Sequence, residues 1–219
     1  MKSLLKFPPI YLAIQAAMGA KKARKTCIDE FAKPKPGMRV LDVGCGPGFV
    51  IEYLPNVHYV GTDINFKYIE HAKKRYGHRG EYHCMELNTE NLRPLGKFDV
   101  VLLNGVIHHI DDAGALELLT LIRNCLNQSG CLMTLDGCLY ETMSPISRYL
   151  IRNDRGQFVR EQTGYIRLAT QVFSNVEVHH RTDLFSIPYD ALVMVCRQAA
   201  SPLGATTTEQ FGHTPGDQS

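Results

Sequence analysis

Three glycines at alternate positions follow a short apolar run near the start of this sequence. Gly44, Gly46 and Gly48 come directly after Arg39–Val43, which reads as a buried strand, and a helical pattern begins at Phe49. Glycine lets a backbone approach a ligand closely and adopt dihedral angles that other residues avoid. The helix that follows presents unpaired N–H groups and the positive end of its dipole. The spacing therefore predicts a ligand-binding loop that favours an anionic group.

Two acidic residues frame this loop. Asp42 lies two residues before Gly44, and Asp63 lies 19 residues after it, at the end of a second apolar run. An acidic residue at the second place can accept hydrogen bonds from the hydroxyls of a ribose. The glycines follow the spacing G-x-G-x-G, whereas a dinucleotide-binding loop would require G-x-G-x-x-G. The pattern thus departs from that of a dinucleotide site.

Three titratable residues are candidate catalytic bases. His108 and His109 follow a strongly β-like run, and Asp136 ends the next one. Open α/β sheets bind ligands beyond the carboxyl ends of their strands, and histidine titrates near neutral pH. The alternatives are that one histidine packs or caps the helix around Leu116 and that Asp136 caps a loop. No catalytic triad is evident, and no metal site is predicted.

The segment 137–175 is rich in tyrosine and arginine. Guanidinium groups favour the capture of a carboxylate or phosphate through two hydrogen bonds, so this segment could bind an anionic substrate. The alternative is an Arg–Asp network that only holds the loop together. The candidate substrate-binding residues are Tyr140, Tyr149, Arg152, Arg155, Arg160 and Tyr165.

Strand and helix patterns alternate through the middle of the chain, which predicts an α/β fold with a parallel sheet. The last two strands have no helical pattern between them and should form an antiparallel β-hairpin. We therefore expect a Rossmann-like, doubly wound, mostly parallel sheet of seven strands. The predicted strands are Arg39–Val43, His58–Thr62, Tyr82–Met85, Phe98–Leu103, Cys131–Leu135, Val176–Arg181 and Ala191–Arg197. The predicted helices begin at Phe49, after Asn65 and after Asp111 or Asp112.

The run VLDVGCGPG, Val40–Gly48, resembles the first motif of the class I S-adenosylmethionine-dependent methyltransferases at all nine positions. FDVVLLNGVIHHIDD and LNQSGCLMTLD resemble two later motifs of that family, and the resemblance covers roughly residues 36–197. It implies S-adenosylmethionine as the cofactor. It also implies a cofactor site that includes Asp42, Gly44, Cys45, Gly46, Gly48, Asp63, Ile64, Glu86, Asn104 and, from an N-terminal helix, Tyr11.

The resemblance implies methyl transfer to an oxygen or nitrogen of a small molecule, with an anionic acceptor favoured by the arginines. A lipid or quinone acceptor at a membrane surface and an RNA acceptor are the alternative functions, and a cofactor sensor without activity is a third. Residues 1–35 carry eight Lys or Arg against two acids, which would suit peripheral membrane contact, although no transmembrane segment or stable nucleic-acid complex is expected.

The chain is expected to divide into an N-terminal helical cap (1–35), a methyltransferase domain (36–198) with a substrate-side insertion (137–175), and a disordered tail (199–219). The seven cysteines form no C-x-x-C pair, so they are expected to be reduced thiols in a cytoplasmic protein.

Overall fold

The computed structural model describes residues 19–153 and 156–199, and they form a seven-stranded sheet in the order β3-β2-β1-β4-β5-β7-β6. Strands β1 to β5 are parallel, β7 runs antiparallel to β5, and β6 pairs antiparallel with β7. The predicted fold class, including the terminal hairpin, is therefore confirmed. The strands are β1 (Arg39–Val43), β2 (His58–Asp63), β3 (Gly80–Cys84), β4 (Phe98–Asn104), β5 (Leu126–Gly137), β6 (Asn175–Arg181) and β7 (Ala191–Arg197).

Helices cover both faces of the sheet. They are α1 (Ala20–Cys27), α2 (Phe66–Tyr76), α3 (Thr89–Leu92), α4 (Asp112–Cys125), α5 (Pro145–Arg152) and α6 (Gln162–Thr170). Short 3-10 helices span Phe49–Tyr53, Arg93–Leu95 and Ile107–His109, and a π-helical turn spans Ile28–Ala32. The side chain of Asn65 caps α2 and that of Asp111 caps α4, so the first of the two candidate caps of α4 is the one used.

Alternate residues of each central strand enter different hydrophobic cores, as the period of two requires. Val100 and Leu102 pack with α1 and α2, whereas Val101 and Leu103 pack with α4 and α6. Burial on both faces explains why β4 is an almost unbroken apolar run. The sheet thereby holds the carboxyl ends of β1, β2, β4 and β5 side by side, where the predicted site residues lie.

The N-terminal helix is part of the first core. Ala23 and Cys27 of α1 and Ile28 of the following turn are almost fully buried in the cluster that contains Val40 and Val193. Arg181 of β6 also forms an ion pair with Glu30 at 2.5 Å. Residues 19–32 therefore pack against the sheet as part of its helical layer. The expected cap and tail lie partly outside the described residues, which begin at residue 19 and end at residue 199.

Two strands, β3 and β5, differ from their predicted bounds by more than one residue. β5 begins at Leu126, although Gln128–Gly130 reads as a break, because Leu126 pairs with Phe98 across an irregularity in the β4 ladder. β3 begins at Gly80 because it pairs with Tyr59 of β2. Within the described part of the chain, none of the helices has both the length and the apolar character needed to cross a membrane.

Candidate functional site

The glycine loop turns sharply at the carboxyl end of β1. Gly44 and Gly46 have φ angles of 69° and 55°, in the left-handed region that favours glycine. The Gly44 N–H donates to the carbonyl of Thr62 at 2.8 Å, and the Gly46 N–H donates to Oδ2 of Asp63 at 2.9 Å. A Cβ added to Gly46 would meet nothing within 4 Å, so this loop faces open space.

Asp63 connects the glycine loop with the start of α2. Its Oδ2 accepts from Gly46, and its Oδ1 accepts from the N–H of Asn65 at 2.7 Å. A carboxylate oxygen has two acceptor sites, so each oxygen can accept a further hydrogen bond. Asp63 is half-buried and lines the cavity described next, which leaves it able to bind hydroxyl groups of a ligand.

A cavity of about 820 Å³ lies beyond the carboxyl ends of the central strands. It brings together most of the site residues that the sequence predicts. Those that line it are Asp42, Gly44, Cys45, Gly46, Asp63, Ile64, Glu86, Asn104, His108, His109 and Asp136. The structure thus places the candidate cofactor residues and the candidate bases on the wall of one cavity.

Asp42 forms part of the cavity wall and is almost completely buried. Burial raises the pKa of this carboxyl to about 7, although the hydrogen bond from Tyr59 and the charge of Arg24 oppose the rise. Burial also raises the pKa of the neighbouring Cys45 thiol far above its usual range, so this thiol stays protonated. The wall at this point is therefore less acidic than its residue types suggest.

His108 and Asp136 form a buried pair. Nδ1 of His108 lies 2.8 Å from Oδ1 of Asp136, and the His108 backbone N–H donates to the same oxygen at 3.2 Å. His108 belongs to the 3-10 helix after β4, and Asp136 lies near the end of the adjacent β5. An ionised carboxylate only accepts, so Nδ1 carries the proton in this arrangement and Nε2 is the basic nitrogen of the ring.

Several features of the wall fit a ligand with polar and flat apolar parts. Among the described residues, Oδ1 of Asn104 and Oδ2 of Asp136 are buried and have no hydrogen-bond partner. Buried polar atoms are usually paired, so such atoms on a cavity wall are suited to groups of a bound molecule. Ile64 is 76% exposed, although it is a large apolar side chain. A flat apolar group resting on Ile64 would remove that surface from water.

Comparison with known proteins identifies the family. The family described as "Methyltransferase domain" matches residues 41–132, which run from β1 into β5. The matched region belongs to the methyltransferase domains of the class I S-adenosylmethionine-dependent family. The cofactor of this family is S-adenosylmethionine. The glycine loop, Asp63 and the exposed Ile64 are suited to its amino-acid, ribose and adenine parts respectively.

Two curated relatives show how the similarity is distributed. Malonyl-[acyl-carrier protein] O-methyltransferase of Legionella pneumophila is 34% identical over 100 residues, which are 43% of this chain and 34% of that protein. tRNA U34 carboxymethyltransferase of Edwardsiella ictaluri is 29% identical over 170 residues, which are 68% of this chain and 52% of that protein. The chain thus spans between a third and about half of the length of these relatives.

Solved structures agree on the fold. The plantazolicin methyltransferase BamL, solved in complex with a triazolic desmethylPZN analog and SAH, has a TM-score of 0.66 at 15% identity. The similarity covers 90% of this chain and 93% of that one. At this identity the likeness concerns the fold alone.

Gly48, the third glycine of the loop, does not line the cavity. It is buried with φ 81°, and a Cβ there would lie 3.1 Å from both Ala72 and Tyr82 and 3.3 Å from Tyr76. Because glycine has no Cβ, Gly48 allows the loop to pack tightly against α2 and β3. The structure therefore gives Gly48 a packing role, and its direct contact with the cofactor stays a prediction.

Five of the predicted substrate residues of segment 137–175 are described by the structure, and none of the five lines the cavity. Tyr149 is 55% exposed and Arg152 is exposed on α5, whereas Tyr165 is buried and its hydroxyl donates to the Gly137 carbonyl at 2.9 Å. Tyr140 stacks on His180 with ring centroids 3.7 Å apart. The cavity wall, as far as the structure describes it, is formed without these four residues and without Arg160.

Arg160 instead forms an ion pair with Asp112 at 2.8 Å and binds backbone carbonyls, which is the structural alternative that the sequence left open. Tyr11 and Arg155 lie outside the described residues. No group of three or more His, Cys, Asp or Glu side chains in the described ranges is arranged to hold a metal ion.

Several other side chains on the cavity wall come from α1, from segment 137–175 itself and from the β6–β7 loop, and none of them is a predicted substrate residue. They are Arg24 from α1, Leu150 and Asn153 from α5 and its end, and Phe185 and Tyr189 from the β6–β7 loop. The Phe185 and Tyr189 rings pack with centroids 4.8 Å apart. Their sequence signal was weak, because two aromatic residues flanking Pro188 in a loop are also typical of simple loop packing.

Proposed function

We propose that this chain transfers the methyl group of S-adenosylmethionine to an oxygen or nitrogen of a small molecule, and that a hydroxyl oxygen is the favoured acceptor. The observation that carries this proposal is the His108–Asp136 pair on the same cavity wall as the glycine loop. When bound, the cofactor supplies a methyl group on a sulfonium sulfur, which needs no further activation. The protein then has to align the acceptor, exclude water and manage one proton.

Binding of the cofactor would rest on the glycine loop and on four side chains. Gly44 and Gly46 allow close approach of the ligand, and Asp63 accepts hydrogen bonds from the ribose hydroxyls. Ile64 would cover one face of the adenine, and Glu86, which is exposed on the cavity rim, would contact the adenine as well. The unpaired Oδ1 of Asn104 can accept a hydrogen bond from the amino-acid part of the cofactor.

The proton would move from the acceptor hydroxyl to Nε2 of His108. Asp136 holds the imidazole with the proton on Nδ1 and stabilises the imidazolium that forms. An amine can attack before it loses its proton, and a carboxylate carries none, so a base of this kind is most useful for a hydroxyl. His109 is exposed and its ring lies 4.2 Å from that of His108, so it would contact the acceptor from the rim.

The acceptor would contact a mostly apolar wall with one cationic group. Phe185, Tyr189 and Leu150 provide the apolar contacts, and Arg24 brings a guanidinium to the cavity. We expect an acceptor with a flat or apolar body. An anionic group on it would find its partner in Arg24, since Arg152 and Arg160 lie elsewhere.

A nucleic-acid acceptor is the second candidate, because the tRNA U34 carboxymethyltransferase matches 68% of this chain. Binding of RNA that weakens steeply with added salt, together with methylation of that RNA, would favour it over the small molecule. The lipid or quinone acceptor would require binding to vesicles of anionic lipid.

As to location, the seven free cysteines, five of them buried, suit the reducing cytoplasm.

Calorimetric titration of S-adenosylmethionine and S-adenosylhomocysteine tests the cofactor site. We expect binding by the wild type and by Asp29→Ala, whose exposed carboxylate pairs with Lys25 outside the cavity. Asp63→Ala should bind about tenfold or more weakly, because it removes hydrogen bonds to a charged group. Absence of binding in folded wild type, or equal affinity in Asp63→Ala, would refute this cofactor site.

Acceptors can then be screened by following formation of S-adenosylhomocysteine. Matched compounds that carry a hydroxyl, an amine or a carboxylate on the same apolar ring separate the three kinds of acceptor. The proposal predicts the highest turnover for the hydroxyl compound. A preference for the carboxylate would remove the need for His108 as a base.

A further inference from the structure

We propose that Arg160 is a positioning residue that holds His108 against Asp136. The side chain of Arg160 binds the turn that carries His108, and its backbone binds the strand extension that follows Asp136. The geometric part of this inference stands on the contacts alone, whereas its consequence for turnover rests on the proposed function.

The guanidinium of Arg160 binds both ends of the turn Ile107–Ile110, which is called the histidine turn below. Its Nη1 donates to the carbonyl of Ile107 at 3.0 Å, and its Nη2 donates to the carbonyl of Ile110 at 2.8 Å. Its Nε donates to Oδ1 of Asp112, the first residue of α4, at 2.8 Å. The two carbonyls lie immediately before and after the His108–His109 pair, so one planar group fixes both ends of this turn.

The backbone of Arg160 is attached to the other half of the pair. Its carbonyl accepts a hydrogen bond from the Leu139 N–H at 3.0 Å, and the next residue, Glu161, forms a β-bridge with Leu139. Leu139 lies three residues after Asp136 along the same extended segment. Arg160 therefore links the element that carries the imidazole to the element that carries its carboxylate.

Two neighbours of Arg160 reinforce the same turn. The Phe158 N–H donates to the His108 carbonyl at 3.0 Å. Gly156 lies so close to His108 that an added Cβ would overlap the imidazole and would lie 2.8 Å from the His108 carbonyl oxygen. The stretch from Gly156 to Arg160 thus follows the histidine turn closely over its whole length.

The guanidinium of Arg160 is buried and cannot be replaced by an ammonium group in this position. The side chain of Arg160 is 9% exposed, and it is paired with Asp112 and bonded to carbonyls, as a buried charge has to be. A planar guanidinium presents several N–H donors in a fixed fork, whereas a lysine ammonium is a single point charge on a flexible chain. Lysine at this position could keep the ion pair with Asp112, but it could not span both carbonyls.

The test compares Arg160→Lys with Arg167→Ala. Arg167 pairs with the other oxygen of Asp112 at 2.8 Å, is 67% exposed and lies outside the cavity, so it is a matched control for loss of an ion pair. Arg160→Ala is a second, more severe variant. For each protein we would measure the unfolding midpoint, cofactor affinity by calorimetry, the proton resonance of His108 Nδ1–H by NMR, and kcat and KM.

For Arg160→Lys we expect a folded protein with unchanged cofactor affinity and a shifted or broadened Nδ1–H resonance. We also expect kcat to fall on the order of tenfold to a hundredfold with little change in KM, since a small misplacement of a catalytic group has that effect. Arg167→Ala should match the wild type in all four measurements. If lysine leaves the resonance and kcat as in Arg167→Ala, or lowers kcat with the resonance unchanged, the positioning role is refuted.

The experiment separates this inference from the proposed function. A changed resonance in Arg160→Lys, with no turnover of any acceptor by the wild type, would uphold the positioning of His108 and contradict the proposed activity. Should Arg160→Lys unfold, the resonance and kcat of Gly156→Ala test the same attachment from the other end, and wild-type values there would overturn it.

Discussion

The hydroxyl of Tyr59 donates a 2.7 Å hydrogen bond to Oδ2 of Asp42, and both residues are almost completely buried beneath the glycine loop. Tyr59 and Asp42 lie on the adjacent strands β2 and β1, so the bond ties the base of the loop to the strand that ends in Asp63. Burial has the largest effect on Asp42 and raises its pKa to about 7. The charge of Arg24 lowers this pKa, and the charge of Asp63 raises it. This carboxyl therefore titrates in the physiological range.

The first prediction concerns stability and pH. Because the pKa of Asp42 is raised in the folded state, the folded protein binds a proton that the unfolded chain releases near pH 4. The free energy of unfolding should then fall as the pH rises from about 4 to about 7, by up to roughly 4 kcal/mol if the full shift holds. Urea denaturation at pH 5, 6, 7 and 8 measures this slope.

Asp42→Asn should flatten the slope between pH 5 and pH 7. Asp183→Asn is the control, because pairing with Arg181 lowers the pKa of Asp183 to about 2, so its contribution is lost only at lower pH. A stability that changes between pH 5 and pH 7 in the same way in the wild type and in Asp42→Asn would show that the carboxyl is ionised in the folded protein.

Much of the fold follows from local patterns. The apolar runs of β1, β2, β4 and β7 and the caps of α2 and α4 are encoded by neighbouring residues, so these elements lie close to where the sequence predicts them. The start of β5 is different, because it depends on pairing between Leu126 and Phe98. A pattern of side chains along one segment does not contain such a partner.

The site divides in the same way. The glycine loop and Asp63 are recognisable because their spacing along the chain forms a recognisable motif. His108 and Asp136 are individually plausible bases, but their pairing depends on the register between β4 and β5, which only the fold supplies. An arginine such as Arg160 can bind either an anionic ligand or backbone carbonyls. Its burial against the Ile107 and Ile110 carbonyls decides between the two, and burial depends on the tertiary structure.

A second prediction separates the glycines of the loop. Gly46→Ala would place a methyl group in the open cavity, so it should weaken cofactor binding while stability falls only by the strain of a positive φ, about 1 kcal/mol. Gly48→Ala carries similar strain and also presses on Ala72, Tyr82 and Tyr76. It should therefore lower the unfolding midpoint more than Gly46→Ala does. Thermal denaturation and calorimetry on both variants test this, and the reverse order of stabilities would contradict the assignment of Gly48 to packing.

A third prediction concerns Tyr165, whose hydroxyl donates to the Gly137 carbonyl at 2.9 Å in a buried setting. Tyr165→Phe should lower the free energy of unfolding by about 1 to 3 kcal/mol, because a buried carbonyl loses its partner. It should leave the KM of the acceptor unchanged, since Tyr165 does not line the cavity. Tyr149→Phe, an exposed tyrosine of α5, is the matched control for stability. An increased acceptor KM in Tyr165→Phe with unchanged stability would restore the substrate-binding role.

The last prediction tests the proton transfer directly. Asp136→Asn keeps the shape of the side chain, but its amide can donate to Nδ1 and thereby favour the tautomer with the proton on Nε2, which then cannot accept one. We expect Asp136→Asn and His108→Ala to lower kcat by about 100-fold to 10,000-fold while both bind the cofactor as the wild type does. The double variant should be no slower than the slower single one, because the two residues act as a unit. Single variants whose losses multiply in the double variant would show that the residues act independently, and the hydrogen bond between them would then be only structural.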